Sequence, residues 1–339
     1  MTTTTETPKP EITTLHANLD ELIKGVVLHS TKTEAIPAIM ETLMPTAGRA
    51  NLRAKAGTAT KVKTAKATKV VEPMIGETQY LRPNGQAYYS RMWGEHSDIE
   101  VLRTARANKK FILLYGSPGC GKTALVEGAF PDELYTLLGT GDTEVSDFVG
   151  GYIQTPSGGF EWVDGVLTKA VSEGKVLLID EVGLIDPKVM SIVYGLMDGR
   201  DELTISSNPE RGVVKAKEGF YVICATNPNA HGVRLSEALL SRCLIQAEMT
   251  TDWSLAKKLG VPAPAVSAGM NLAKKQLAGE VSWSPQMREL LAFRDVSELF
   301  GMKWAIGNLL ASAPEIDRVV VADVFRRVFG DDDCRPAKI

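Results

Sequence analysis

A glycine-rich segment that ends in Lys-Thr has the residue types and the spacing needed to bind a phosphate chain. Its eight residues follow the order glycine, four residues, glycine, lysine, threonine: Gly116, Ser117, Pro118, Gly119, Cys120, Gly121, Lys122 and Thr123. Glycines let backbone N–H groups turn inward in conformations that a Cβ would forbid. Lys122 can reach the β- and γ-phosphates of a nucleotide, and the Thr123 hydroxyl can hold Mg²⁺. We therefore expect residues 116–123 to bind a nucleotide.

The residues on both sides of this loop predict the elements that must position it. Phe111–Tyr115 is an apolar run of strand length, and Thr123–Phe130 is typical of the start of a helix. A helix N-terminus adds partial positive charge where the phosphates would lie. The alternative is a glycine-rich surface turn that precedes a lysine by chance, and the strand and helix at its flanks argue against it.

An acidic pair forms the second candidate site element. Asp180 and Glu181 follow Val176–Ile179, an apolar run typical of a strand buried on both faces of a parallel sheet. Open α/β sheets bind ligands at the carboxyl ends of their strands. Asp180 is expected to hold Mg²⁺, directly or through water, and Glu181 to orient and deprotonate an attacking water. The pair is weak evidence alone and becomes strong beside the phosphate loop.

A third apolar run, Phe220–Ala225, leads to Asn227. A polar side chain at this third strand end can reach the γ-phosphate or the water. The alternative is that Asn227 forms a turn before Pro228, which is common for asparagine. Its position beside the other two strand ends favours the functional role.

Composition bounds the class of protein. The chain has 339 residues, 44% of them apolar, and a net charge of -3, which allows a sizeable core and does not single out a nucleic-acid binder. Its four cysteines lack CxxC spacing, which argues against a disulfide framework or a zinc site. The sequence begins with no signal segment and contains no bilayer-spanning apolar run. We therefore expect a soluble, cytoplasmic protein with no membrane partner.

Composition shifts predict four segments. They are a helical hairpin with a disordered start (1–48), a basic Ala/Thr/Lys linker (49–72), an α/β nucleotide-binding domain (73–248) and a helical lid domain (249–339). Every charge in residues 46–70 is positive, which suits either an extended linker or a nucleic-acid contact. The lack of aromatic residues for base stacking favours the linker.

Helical patterns in the last segment predict five lid helices. These are Trp253–Leu259, Ala265–Leu277, Ser284–Phe293, Asp295–Ser312 and Val319–Phe329. The expected fold class is thus a parallel sheet flanked by helices, followed by a helical lid.

Two groups of aromatic residues leave alternatives open. Those between Tyr80 and Trp93 either pack or line a base pocket. Within residues 141–173, a helix interrupted by a β-hairpin is expected. Its aromatic residues either contact a substrate or pack the hairpin onto the core: Phe148, Tyr152, Phe160 and Trp162.

In their order along the chain, the motifs resemble those of the AAA+ ATPases, in the MoxR-like and dynein/midasin-related branch. The resemblance rests on Gly116–Thr123, Val176–Glu181, Ala225–Asn229 and Ser236–Arg242, and it covers about residues 80–330. The stretch from Gly141 through the FEWVDG hairpin is similar to the helix-2 insert of that branch. The hairpin before Phe220 is similar to its pre-sensor-1 insert.

The resemblance implies further roles. Asn227 falls at the sensor-1 position, and Arg242 falls at the position of the arginine finger, which acts on nucleotide held by a neighbouring subunit. For Arg242 considered alone, a surface salt bridge is the simpler interpretation. At the sensor-2 position Gln286 replaces the usual arginine, and Arg288 is the favoured candidate. Cys120 departs from the family pattern: it is either a tolerated small residue or a thiol whose pKa is lowered by Lys122 and the helix N-terminus.

The resemblance implies Mg²⁺-dependent hydrolysis of ATP by a homo-oligomeric ring, expected to be a hexamer. Turnover would remodel or activate a protein client. One alternative is a DNA-directed motor or loader that uses the basic linker. Another is a nucleotide-gated assembly module with little turnover, against which the intact Asp180–Glu181 pair argues. The sequence offers no basis for choosing ATP over GTP.

Overall fold

The computed structural model describes residues 79–330 and 334–336. The helical hairpin and the basic linker expected before residue 73 lie outside the described residues.

A five-stranded parallel sheet forms the centre of residues 79–249, the first half of the described chain. Its strand order is β13-β5-β12-β9-β6, and all four neighbouring pairs run parallel. The bounds are β5 Ile112–Tyr115, β6 Leu134–Leu138, β9 Val176–Asp180, β12 Tyr221–Thr226 and β13 Ile245–Glu248. Because the strands are parallel, their carboxyl ends share one edge, where Tyr115 pairs with Thr226 and Asp180 pairs with Leu138.

The apolar runs at the centre of this sheet are buried as the sequence predicts. Val176–Ile179 and Tyr221–Ala225 are fully inaccessible to solvent, which explains their lack of alternation between apolar and polar residues. The helices that pack around the sheet are α1 Asp98–Ala107, α2 Lys122–Ala129, α3 Val145–Val149, α4 Val166–Glu173, α5 Pro187–Met197 and α6 Glu237–Arg242. The expected α/β fold class is confirmed.

Four antiparallel hairpins are also formed in this part of the described chain. They pair β1 Gln79–Leu81 with β2 Ala87–Tyr89, β3 Met92–Trp93 with β4 His96–Ser97, β7 Gly150–Gln154 with β8 Phe160–Asp164, and β10 Glu202–Thr204 with β11 Val213–Lys215. The β7–β8 hairpin lies between α3 and α4, and the β10–β11 hairpin precedes β12. Both occur where the sequence predicts a hairpin.

The second half is helical. Its helices are α7 Trp253–Lys258, α8 Ala263–Leu277, α9 Met287–Phe300, α10 Met302–Ser312 and α11 Arg318–Phe329. One predicted boundary is wrong: the expected break near Arg294 is absent, and α9 continues to Gly301. Gly301 has φ +87°, a conformation in which glycine avoids the steric cost of a Cβ, so it ends α9 and redirects the chain into α10.

The two halves have separate hydrophobic cores. The sheet core extends from Tyr88 to Met249, and the helical core extends from Ala256 to Cys334. Residues 250–255 connect them, so a side chain that contacts this connection touches the junction of two packed units. None of the described helices combines the length and the apolar character needed to cross a bilayer.

Candidate nucleotide-binding site

The glycine-rich loop connects the carboxyl end of β5 to the first turn of α2. Lys122 is buried, with 6% of its surface exposed, and its Nζ donates to the carbonyls of Gly116 and Ser117 at 2.8 and 3.2 Å. The ammonium therefore lies across the mouth of the loop rather than in solvent. Pro118 occupies the exposed tip.

Two glycines of the loop meet structural demands that other residues would not meet. Gly121 has φ +102°, and a Cβ there would lie 2.5 Å from Nη2 of Arg91. A Cβ on Gly119 would lie 2.9 Å from the Cβ of Arg288. The loop is therefore held between a residue that precedes the sheet and the start of α9.

The candidate metal ligands meet directly. The Thr123 hydroxyl donates to Oδ2 of Asp180 at 2.8 Å, although 57 residues separate them along the chain. The other carboxylate oxygen of Asp180 accepts the backbone N–H of Glu181 at 3.0 Å. Mg²⁺ prefers oxygen ligands and is bound in nucleotide sites through one or two protein oxygens and the phosphates. This hydroxyl and carboxylate fit that donor set.

Glu181 and Asn227 come together at the ends of β9 and β12. The Asn227 backbone N–H donates to Oε2 of Glu181 at 3.3 Å, so the carboxylate of Glu181 is turned toward the third strand end. Glu181 has φ +51° and ψ +40°, a left-handed conformation that is uncommon outside glycine and found at functional sites. Oδ1 of Asn227 accepts the N–H of Asn229 at 3.3 Å, so the turn expected as an alternative also forms.

The start of α9 brings Arg288 to the phosphate loop. Its backbone N–H donates to the carbonyl of Gly119 at 3.2 Å, and its side chain is exposed. Gln286 is close too, but its Oε1 accepts from Thr251 at 2.7 Å and its Nε2 donates to the Ser284 carbonyl at 3.2 Å. Of the two sensor-2 candidates, Gln286 is thus used in structural bonds, and Arg288 has its guanidinium available to a ligand.

Arg242, at the end of α6, contacts residues at the end of α5 in its own chain. Its guanidinium binds both carboxylate oxygens of Asp198 at 2.8 and 2.7 Å and lies 4.6 Å from the ring centroid of Tyr194. Hydrogen bonds from Arg242 hold the pKa of Asp198 below its usual value. The structure therefore contains the surface salt bridge that the sequence left as the alternative, and within its own chain the guanidinium bonds to Asp198 and to the Ala238 carbonyl rather than to the phosphate loop.

The suggestion that Cys120 has an activated thiol is wrong. Its side chain is fully buried in the sheet core, and burial raises the pKa of the thiol above its usual value, outweighing the charges of Lys122 and Arg91. All four cysteines are buried, and none of them forms a disulfide. Cys120 is therefore a small residue of the sheet core.

The aromatic residues divide between the two roles that the sequence left open. Phe148 is fully buried, and Trp162 packs against the core and donates to Asp164 at 2.7 Å. Tyr152 and Phe160, on the same hairpin, are 53% and 71% exposed. In the earlier group, Trp93 lines a cavity of about 550 Å³ together with Arg91, Met249 and Thr250. This cavity adjoins the phosphate loop through Arg91.

Arg91 is the main site residue that sequence reasoning missed. Its Nη2 donates to the carbonyl of Cys120 at 2.7 Å, and its Nη1 donates to the carbonyl of Thr250 at 3.0 Å. An arginine that binds backbone carbonyls leaves no residue pattern in the sequence, because any residue type can supply the acceptor.

With this geometry established, comparison with known proteins identifies the family. Residues 111–243 match the family model described as "AAA domain (dynein-related subfamily)". This part of the chain is therefore similar to AAA domains of the dynein-related subfamily. The resemblance to the MoxR-like and dynein-related branch of the AAA+ ATPases is thus confirmed.

Several curated proteins align with this chain. The uncharacterized protein YojN of Bacillus subtilis is 38% identical over 178 residues, which is 49% of this chain and 58% of YojN. Protein NorQ of Paracoccus denitrificans is 32% identical over 139 residues, 40% of this chain and 50% of NorQ. Midasin of Giardia intestinalis is 38% identical over 125 residues, 36% of this chain and 2% of midasin. The alignment thus spans about half the length of the first two relatives.

Proposed function

We propose that this AAA+ protein hydrolyses ATP with Mg²⁺, as a ring whose subunits complete each other's sites. The observation that carries the proposal is the bonded path from the phosphate loop to the catalytic carboxylate. Thr123 binds Asp180, Asp180 binds the N–H of Glu181, and Glu181 accepts from Asn227. A nucleotide in the loop would meet its metal ligands and its candidate base on one edge of the sheet.

Each residue has a role that its position supports. Lys122 and the loop amides would bind the β- and γ-phosphate oxygens. Thr123 and Asp180 would hold Mg²⁺, which would offset the negative charge that develops on those oxygens. Glu181 would take a proton from the attacking water, which Asn227 helps to orient. Arg288 would contribute charge from the lid side.

The nucleoside would occupy the cavity of about 550 Å³ beside the loop. Trp93 and Met249 give it apolar surface, and Arg91, which also lines it, bonds to the Cys120 carbonyl of the loop. A concave site with a few polar groups at one end is typical of small-molecule binding.

Arg242 is assigned to the neighbouring subunit's nucleotide. Its permanent charge and planar fork suit two phosphate oxygens, and within its own chain it bonds to Asp198 instead of the loop. Subunit assembly would therefore be required for full activity. Changes at the nucleotide would pass through the lid and the two insert hairpins to a macromolecular client.

Steady-state ATP hydrolysis, measured against protein concentration, tests this proposal, with Glu181→Gln as the control. We expect the rate per subunit to rise with concentration, to vanish on chelation of Mg²⁺ and to fall by at least about 100-fold in the variant. If the rate per subunit stays constant while rising concentration converts monomers into assemblies, the proposal that subunits share their sites is overturned. Tight ATP binding without turnover would favour a nucleotide-gated assembly module.

A further inference from the structure

Arg91 joins three parts of the molecule that are distant in sequence. It follows β2, and its guanidinium reaches the carbonyls of Cys120 in the phosphate loop and of Thr250 in the connection between the two cores. These contacts span 29 and 159 residues of chain. The proposal above places Arg91 in the lining of the nucleoside cavity and gives it no role toward the phosphates.

A buried carboxylate fixes the backbone from which Arg91 extends. Asp98 is 5% exposed and accepts the Arg91 N–H at 3.1 Å, the Ser90 hydroxyl at 2.7 Å and the Tyr88 hydroxyl. Its own N–H donates to the Arg91 carbonyl at 2.9 Å. Burial and the neighbouring carboxylate raise the pKa of Tyr88 well above its usual value, so its hydroxyl remains a donor to Asp98.

The contact with Cys120 determines the direction of the next N–H group. In a trans peptide the C=O and N–H bonds point in opposite directions. No cis peptide occurs in the described residues, so a Cys120 carbonyl held toward Arg91 turns the Gly121 N–H away from Arg91. Among the loop residues, Gly121 immediately precedes Lys122, whose ammonium lies across the loop mouth.

We infer that Arg91 is a positioning residue for nucleotide binding: it holds the Cys120–Gly121 peptide in the orientation that presents the Gly121 N–H to phosphate. The inference rests on the proposed function of the loop and deepens it. The same guanidinium also bonds to the Thr250 carbonyl, in the connection between the sheet core and the helical core. The orientation of the Gly121 N–H therefore depends on the position of Thr250. A Cβ on Gly121 would lie 2.5 Å from Nη2 of Arg91, so a larger residue there would displace this guanidinium.

The contacts of Arg91 allow its role in nucleotide binding to be tested separately from a role in stabilising the fold. Arg91 contributes only its backbone N–H to Asp98, so replacing its side chain leaves that bond in place, together with those from Ser90, Tyr88 and the Ile99 N–H. Arg103 provides a matched control, because its guanidinium donates to the carbonyl of Ala129 at 3.1 and 3.0 Å. Ala129 is at the opposite end of α2, far from the phosphates.

The test compares Arg91→Gln, Arg91→Lys and Arg103→Gln with the wild-type chain. ADP dissociation constants come from calorimetry with Mg²⁺, and KM and kcat come from ATP hydrolysis. We expect Arg91→Gln to weaken ADP binding and raise KM by about tenfold, the size of one hydrogen bond to a charged group, with kcat within about twofold. Arg91→Lys keeps one donor for Cys120 and should weaken ADP binding and raise KM by about threefold, a change smaller than in Arg91→Gln but measurable. Arg103→Gln should lower the melting temperature and leave ADP affinity within about twofold.

Three outcomes would overturn the inference. They are wild-type affinity in Arg91→Gln, an equal loss in Arg103→Gln, and a fall in kcat without a change in KM. Should Arg91→Gln fail to fold, unchanged ADP affinity in Arg91→Lys together with an unchanged KM would also count against it. A wild-type chain that binds no ADP would instead refute the proposed function, and it is recognised before any variant is made.

Discussion

The phosphate loop and the end of α6 each present a basic residue that ATP hydrolysis would need, and they differ in their bonding partners. Lys122 is buried and donates only within the loop that it serves. Arg242 is half-buried and binds Asp198 and the ring of Tyr194, away from that loop.

This difference shows which parts of the site one chain can build alone. The loop, its candidate metal ligands and its candidate base form bonds to one another, so their arrangement is set by folding. Arg242 binds a carboxylate on its own surface through a pair of bonds that a phosphate could replace, because both acceptors suit a guanidinium fork. The comparison therefore predicts separate consequences for breaking each region.

Arg242→Ala should have the largest effect on hydrolysis without changing nucleotide binding. Arginine fingers contribute about 10³-fold or more to turnover, whereas ADP affinity should stay within about twofold because the loop does not use this residue. Arg200→Ala is the control, since Arg200 and Arg242 line one surface cavity. An equal loss of rate in both variants, or a loss of ADP affinity in Arg242→Ala, would contradict the assignment.

Mixing two inactive variants sharpens this result. In a 1:1 mixture of Arg242→Ala and Glu181→Gln subunits, some sites combine an intact Glu181 with an intact Arg242 from the neighbour. Random assembly gives such sites at roughly one interface in four, so we expect recovery of roughly a quarter of the wild-type rate. A mixture that stays inactive would mean that Arg242 works within its own subunit.

Thr123→Val tests the part of the site that one chain builds alone. It removes the hydroxyl that bonds Asp180 while keeping the size and branching of the side chain. We expect hydrolysis to fall on the order of 100-fold and to need more Mg²⁺, because the metal contributes several kcal/mol to stabilising charge on the phosphates. The measurement is a Mg²⁺ titration of the rate, and an unchanged Mg²⁺ requirement would exclude Thr123 as a ligand.

Asp198→Asn should raise the rate of ATP hydrolysis modestly, whereas the variants above lower it. Its ion pair with Arg242 is exposed, where such pairs are weak, and Arg242 must leave this carboxylate before it can bind a phosphate. Release should raise the assembled hydrolysis rate by about two- to fivefold. A decrease at full assembly would show that Asp198 instead orients Arg242 for its neighbour.

The sequence predicted the features that depend on residue type at fixed spacing. The strand before the phosphate loop, the buried acidic strand and both insert hairpins were readable because burial and turn formation restrict the residues allowed. The helix boundary at Gly301 was missed because helical periodicity continues across it, and the conformation of one glycine decides where α9 ends. Arg91 was missed because its acceptors are backbone carbonyls, which every residue possesses.

At Cys120 the sequence suggests a property that the fold removes. The Cys120→Ala variant should have the smallest effect on ATP hydrolysis. Charge neighbours in the sequence suggest a reactive thiol, but the side chain lies in the sheet core, and burial raises its pKa. Cys120→Ala should change the KM for ATP by less than about twofold. In the folded protein at pH 8, iodoacetamide should leave Cys120 unmodified, because the raised pKa keeps the thiol protonated there, whereas the denatured chain should react. Selective alkylation of Cys120 that ADP prevents would show that the thiol faces the nucleotide after all.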